Sequence, residues 1–229
     1  MDETQIKQII ACRSLQPEID HLLTEARDHV IRVTYLEQAL HRTPDQLPHV
    51  IQAAIDDVSD DVSTIVLGYG LCANGIVGVK APAQGLIIPR VHDCIALFLG
   101  DRNVYLDAFK KNPGAYYLTP GWVAEGKDPL GFMENDYVPR VGREEAEWAA
   151  REELKHYTHI ILINTDNGGD QTALKQRALS NARFFKKTFE EQAGTGAYFR
   201  KILFGPYDEK DFVIIPPGET VAQKPFLDM

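Results

Sequence analysis

The feature that most constrains this chain is a set of short apolar runs: IKQIIA at residues 6–11, TIVL at 64–67, LII at 86–88 and HIILIN at 159–164. A run that is apolar without alternation is buried on both faces, and strands of that kind build parallel sheets covered by helices. The segments between the runs have helical spacing. Residues 14–27 carry Leu15, Ile19, Leu22 and Leu23 on one face with Pro17 in the first turn, and residues 47–59 do the same with Val50, Ile51, Ala54, Ile55 and Val58. The pattern predicts an α/β fold: a doubly wound, mainly parallel sheet with helices on both faces.

Residues 30–35 alternate as a strand, while 94–106, 144–156 and 172–192 are predicted helices, the last of them the longest. Residues 198–203 and 212–215 are expected to be the final strands, the second stopped by Pro216, Pro217 and Gly218. Residues 112–122 (NPGAYYLTPGW) have the Pro and Gly content of a loop, and DNGGD at 166–170 that of a turn. No linker divides the 229 residues, so a single domain is expected, with a lid or insertion at about 112–143.

A net charge of -9 argues against nucleic acid or an anionic membrane as partner, since both are recruited by basic surface. No run approaches the roughly 18 apolar residues of a membrane span, and MDETQIKQ lacks the basic-then-apolar order of a signal peptide. A cytoplasmic protein is the expectation. Three cysteines are a poor disulfide framework, and a reducing cytosol keeps them as thiols.

In doubly wound sheets, ligands bind beyond the carboxyl ends of the strands, where strand-to-helix loops converge. Cys12 follows the first predicted strand (IKQIIA), Cys72 the third (TIVL) through GYGL, and His92 and Cys94 the fourth (LII) through PRVH. The topology therefore brings three thiols and an imidazole to one edge. That is a Cys3His donor set suited to zinc, and three cysteines can also hold an iron–sulfur cluster. There is no CxxC pair, so the inference rests on the fold rather than on spacing. Buried packing of free cysteines and metal-free thiol catalysis are the competing readings.

Arg90, beside His92, could lower the thiols' pKa, receive a substrate carboxylate or phosphate, or simply join a surface ion pair. Asp93 could orient His92 or cap the next helix, capping being the commoner role. Tyr69 and Asn74 flank Cys72, and with Arg90, Tyr116 and Tyr117 they complete the candidate substrate contacts. Tyr116, Tyr117 and Trp122 either wall a pocket or anchor the loop. The glycines of GYGLCANGIVG match neither GxGxxG nor a Walker pattern, and GxSxG is missing, so nucleotide binding and serine hydrolysis find no support. His21, His41, His49, His156 and His159 lack paired ligand spacing and are read as solvated or packed.

The runs LGYGLCANGIVGVKA, LIIPRVHDCIALFLGDR and PGAYYLTPGW, with IIAC near the start and VIIPPG near the end, resemble the bacterial and archaeal family of unknown function DUF1638. The resemblance implies that Cys12, Cys72 and Cys94, with His92, belong to the family's pattern. Members are often encoded near corrinoid-dependent methyltransferase systems of anaerobes. HxC with a distant cysteine is also similar to the zinc site of thiol-methylating corrinoid methyltransferases. The expectation is a metal-binding protein, zinc first and an iron–sulfur cluster second, serving corrinoid-linked one-carbon metabolism. It would act either as a methyl-transfer enzyme on a small-molecule substrate or as an accessory protein for metal or a corrinoid protein, with a metal-free cysteine enzyme as the remaining alternative.

Overall fold

The computed structural model describes residues 5–26, 30–38, 40, 43, 45–165 and 170–227. In chain order its elements are β1 (Ile6–Cys12), α1 (Gln16–Leu23), β2 (Val30–Leu36), α2 (Leu47–Asp56), β3 (Val62–Gly68), β4 (Leu86–Pro89), α3 (Ile95–Leu99), α4 (Arg102–Lys111), β5 (Ala115–Leu118) and α5 (Pro120–Ala124). A broken helical run follows: α6 (Pro129–Phe132), a π-helical turn (Met133–Tyr137), α7 (Val138–Val141) and α8 (Arg143–Glu153). The chain ends with β6 (His159–Asn164), α9 (Gln171–Phe185), β7 (Thr188–Ala193), α10 (Ala197–Phe204), β8 (Phe212–Ile215) and α11 (Lys224–Leu227).

The α/β class and the mainly parallel pairing are as expected, but the strands divide between two sheets. Five strands run in the order β2-β1-β3-β4-β8, and three in the order β5-β6-β7. In the larger sheet β1 is parallel to both neighbours, with Ile9 opposite Val33 and Val66, while β8 closes the far edge antiparallel, Leu86 opposite Ile215. The smaller sheet is wholly parallel. The strand order reverses direction between β1 and β3, the topological switch point at which loops leave the sheet on opposite faces and open a crevice.

Strand alternation assigns the layers. Ile9 and Ala11 of β1 join Leu15, Ile19 of α1, Phe98 of α3 and Phe199 of α10 in one buried cluster. Ile10 faces the other way, with Ile65 and Leu67 of β3 against Leu47, Ile51 and Ile55 of α2. Ile161 and Ile163 of β6 enter the first cluster from the opposite side, so α1, α3 and α10 form a layer shared by both sheets. Ile160 and Leu162 pack outward on Ala146 and Ala150 of α8 and Ala178 and Ala182 of α9.

Three expectations are corrected. Residues 198–203 lie in a helix, because Tyr198, Phe199, Ile202 and Leu203 are spaced to bury one helical side. Residues 172–192 are a helix followed by the strand β7, the break falling at Lys186 in a left-handed C-cap with φ 54°. Residues 112–122 are no plain loop, since they hold β5 and the start of α5. The segment 112–143 thus supplies an edge strand and packed helices. Arg27, His41 and most of the DNGGD turn lie outside the described residues. Among the described residues no helix is long and apolar enough to cross a membrane.

Candidate functional site at the carboxyl edge of the larger sheet

The loops that follow β3 and β4 are joined backbone to backbone. The Leu71 N–H donates to the Val91 carbonyl and the Cys72 N–H to the His92 carbonyl, each at 2.9 Å. Gly70 makes this approach feasible, because a Cβ there would stand 2.8 Å from the Asp93 Cα and 2.9 Å from its N and C. Cys72, Ala73 and Asn74 then take φ of 48°, 54° and 69°, one turn of left-handed backbone closed by the Gly75 N–H on the Cys72 carbonyl at 3.0 Å. Left-handed L-residues cost roughly 1–2 kcal/mol each, and such strain gathers at functional sites. Its effect is to set Cys72 over the end of the sheet beside Cys94.

The third thiol comes from the neighbouring strand. Cys12 is the last residue of β1, and the Ser14 hydroxyl donates to its sulfur at 3.1 Å. Helix α5 is pressed onto the same turn: a Cβ on Gly121 would come within 2.0 Å of the Ser14 carbonyl oxygen. That approach carries Trp122 to the sheet edge.

Cys12, Cys72 and Cys94 line a single cavity of ≈ 450 Å³, with Tyr69, Gln38 and Trp122 among its other walls. Its charged lining is Glu37 and Asp93, and among the described residues no Lys, Arg or His contributes. Each cysteine is half-buried. Burial raises all three thiol pKa values: for Cys72 and Cys94 the neighbouring thiols and Asp93 add to the rise, while for Cys12 the Ser14 bonds oppose it. The Tyr69 hydroxyl is raised by burial and then by the three cysteines, and it has no hydrogen-bond partner among the described residues. As the side chains stand, no three His, Cys, Asp or Glu groups among the described residues gather closely enough to share an ion. Gathering the thiols on a metal would require them to swing inward.

A second cavity of ≈ 260 Å³ adjoins the first, and Asp93, Ile95, Trp122 and Tyr157 line both. Tyr116 and Tyr117 line this second space. Asp93 caps rather than orients: its Oδ1 accepts from the Ile95 N–H at 2.8 Å and its Oδ2 from the Tyr105 hydroxyl at 2.6 Å.

The candidate residues therefore separate. Cys12, Cys72, Cys94 and Tyr69 meet in one cavity, with Tyr116 and Tyr117 next door. His92 does not line the thiol cavity, and its role on view is the carbonyl that receives Cys72. Arg90 turns to the other end of the chain, its guanidinium donating to the Pro225 carbonyl at 3.2 Å. Asn74 is exposed at the end of the left-handed turn. Ser14, Gln38 and Tyr157 are site residues that sequence patterning did not single out. Only Ser14, two positions from Cys12, carried a hint.

A wider cleft of ≈ 550 Å³ lies between α5 and the start of α9, but it holds no cysteine or histidine, and its Asp128 and Arg177 are already paired at 3.0 Å.

The sequence model of the family described as Protein of unknown function (DUF1638) matches residues 35–203. Cys72, His92 and Cys94 fall inside that segment, and Cys12 precedes it. No curated protein and no solved structure matches the chain. Because the match spans well over half of its length, the chain belongs to the DUF1638 family.

Proposed function

We propose that the protein is a thiolate-metal enzyme, with Cys12, Cys72 and Cys94 as the donors of one soft-metal site and the space beside them as a substrate pocket. The observation that carries the reading is the convergence of three sulfurs, from the end of β1 and the loops after its neighbours β3 and β4, on one cavity. Three thiolates without a fourth side chain suit a zinc site with one open position, or a cluster with one iron free of cysteine. His92 lies outside the lining, which leaves that fourth position to a ligand from the pocket.

Metal-free thiol catalysis is the weaker reading. A cysteine nucleophile needs a cation or a base beside it, and among the described residues no Lys, Arg or His lines the cavity. A bound metal ion would supply the missing positive charge and Lewis acidity, and could hold a substrate sulfur as thiolate for methyl transfer. The protein's own residues divide the remaining work. The Ser14 hydroxyl, which donates to the Cys12 sulfur, would yield it to the metal, the left-handed turn carries Cys72 to the cavity, and Trp122 and Tyr157 wall the pocket. The adjoining cavity favours an enzyme over an accessory protein, since metal storage or delivery needs no second chamber.

Cobalt(II) substitution tests the reading. The expected result is an absorption band from sulfur-to-cobalt charge transfer at one equivalent, reduced by Cys12→Ser, Cys72→Ser and Cys94→Ser and unchanged by His92→Gln. Loss of the band in none of the cysteine variants contradicts the assignment.

A further inference from the structure

The adjoining cavity is built chiefly from aromatic rings. Tyr105, Tyr116, Tyr117, Trp122 and Tyr157 line it, and Asp93 supplies its formal charge. No Lys, Arg or His is among its lining residues. The rings are set at steep angles to one another. Tyr116 meets Trp122 at 76° with centroids 5.9 Å apart, and Tyr157 at 75° and 5.1 Å. Each of these pairs meets edge to face, and a wall of aromatic rings beside a carboxylate favours positive charge.

Asp93 is the acceptor in the wall: it takes hydrogen bonds from the Ile95 N–H and the Tyr105 hydroxyl, with the Ala96 N–H close by, and carries a carboxylate's remaining acceptor capacity. The Tyr117 hydroxyl is buried with no hydrogen-bond partner among the described residues. At ≈ 260 Å³ the space is below the range of about 300–1,000 Å³ typical of drug-sized ligands, so its occupant is small. An anion would face π-electrons and a carboxylate. A neutral apolar molecule would leave Asp93 without a complement.

We propose that this aromatic chamber binds a small alkylammonium ion, methylated at nitrogen, with its charge over the rings of Trp122, Tyr116 and Tyr157 and balanced by Asp93. A methylated cation suits such walls because its charge is spread over apolar methyl groups, which can desolvate against aromatic faces as an ordinary ammonium cannot. As the substrate of the thiol site this ion depends on the reading above, for the chamber opens against Asp93 and Ile95, which also line the thiol cavity. As a binding site it does not depend on metal.

The test uses metal-free full-length protein titrated with tetramethylammonium and, separately, with tert-butanol, a neutral molecule of the same shape, followed by tryptophan fluorescence and calorimetry. Tetramethylammonium is expected to saturate with a Kd of about 1 mM or tighter, and tert-butanol to bind at least about tenfold more weakly. Asp93→Asn should weaken the cation about fivefold or more, and Tyr157→Leu similarly, while Tyr157→Phe, which keeps the ring, retains binding. Circular dichroism of each variant identifies any that fail to fold, and the Tyr157→Phe and Tyr157→Leu pair then decides the question. Equal affinity for the two probes, no saturation by tetramethylammonium, or Asp93→Asn without effect overturns the proposal. The Cys12→Ser, Cys72→Ser, Cys94→Ser triple variant separates the two readings: cation binding survives it if the chamber is as described, whatever becomes of the metal site.

Discussion

Two of the places where the protein buries polar groups treat them oppositely. Under α6 and α9, Asp128 is fully enclosed and fully used: it accepts from Arg177 Nε at 3.0 Å and from Asn181 Nδ2 at 2.6 Å, while Arg177 reaches Glu134 and Asn181 accepts from the Leu130 N–H. At the carboxyl edge of the larger sheet, three thiols and the Tyr69 hydroxyl line a cavity with no cationic side chain among the described residues, beside a loop that holds three left-handed residues in succession. A closed network rigidifies the fold, whereas an incomplete one leaves capacity for a ligand. The difference marks the first region as scaffold and the second as site.

The comparison breaks most visibly at Asp128. Asp128→Ala empties a fully buried carboxylate site, leaves the buried Asn181 amide without its carboxylate acceptor and Arg177 with Glu134 alone, and should cost about 3 kcal/mol in chemical denaturation, yet leave metal uptake per folded molecule unchanged. If metal uptake falls with stability, the two regions are not separable as scaffold and site. Gly70→Ala should come next. Its new methyl strikes the Asp93 backbone, so about 1–3 kcal/mol of stability is expected to go as the β3 and β4 loops part, and here metal uptake should fall too. A variant that keeps wild-type metal content despite the lost stability argues against the two loops being a joint platform.

The smallest effect has the opposite sign. Ala73 is exposed and left-handed, a conformation that glycine adopts freely, so Ala73→Gly should stabilise the protein by about 0.5–1 kcal/mol, relief of strain being partly offset by the entropy of glycine. Thermal melting reads this directly. A destabilised Ala73→Gly protein would mean that the left-handed turn stores no strain.

How much of this was legible beforehand follows from which signals are local. The strands at IKQIIA, TIVL, LII and HIILIN are visible because they are buried on both faces, and their order alone places Cys12, Cys72 and Cys94 at one edge. Three elements were hidden for physical reasons. β7 (TFEEQA) is a polar edge strand with no apolar run, and the helix before it ends on Lys186 where a glycine would have announced the stop. β5 hides among the Pro and Gly of NPGAYYLTPGW. In α10 a nearly continuous apolar string, AYFRKILF, reads as a strand until its partners are known. The second sheet was missed for the same reasons, as two of its three strands were among those hidden.

The site shows the same division. Convergence of the cysteines follows from topology, but the direction of a side chain depends on loop geometry. Arg90 and His92 stand close to Cys94 in sequence, yet one guanidinium bonds across to Pro225 and the other residue offers only its carbonyl to Cys72. Tyr157 reaches the same cavity from the far end of the helical run, with no motif to mark it.

The central claim is that the three converging thiols form one metal site. Elemental and acid-labile sulfide analysis of anaerobically purified protein, run beside Cys12→Ser, Cys72→Ser and Cys94→Ser, tests it most directly. The account predicts stoichiometric zinc, or iron with matching sulfide, in the wild type and a marked loss in every single variant. Metal-free wild-type protein that also takes up none on reconstitution, or metal retained in all three variants, would contradict it.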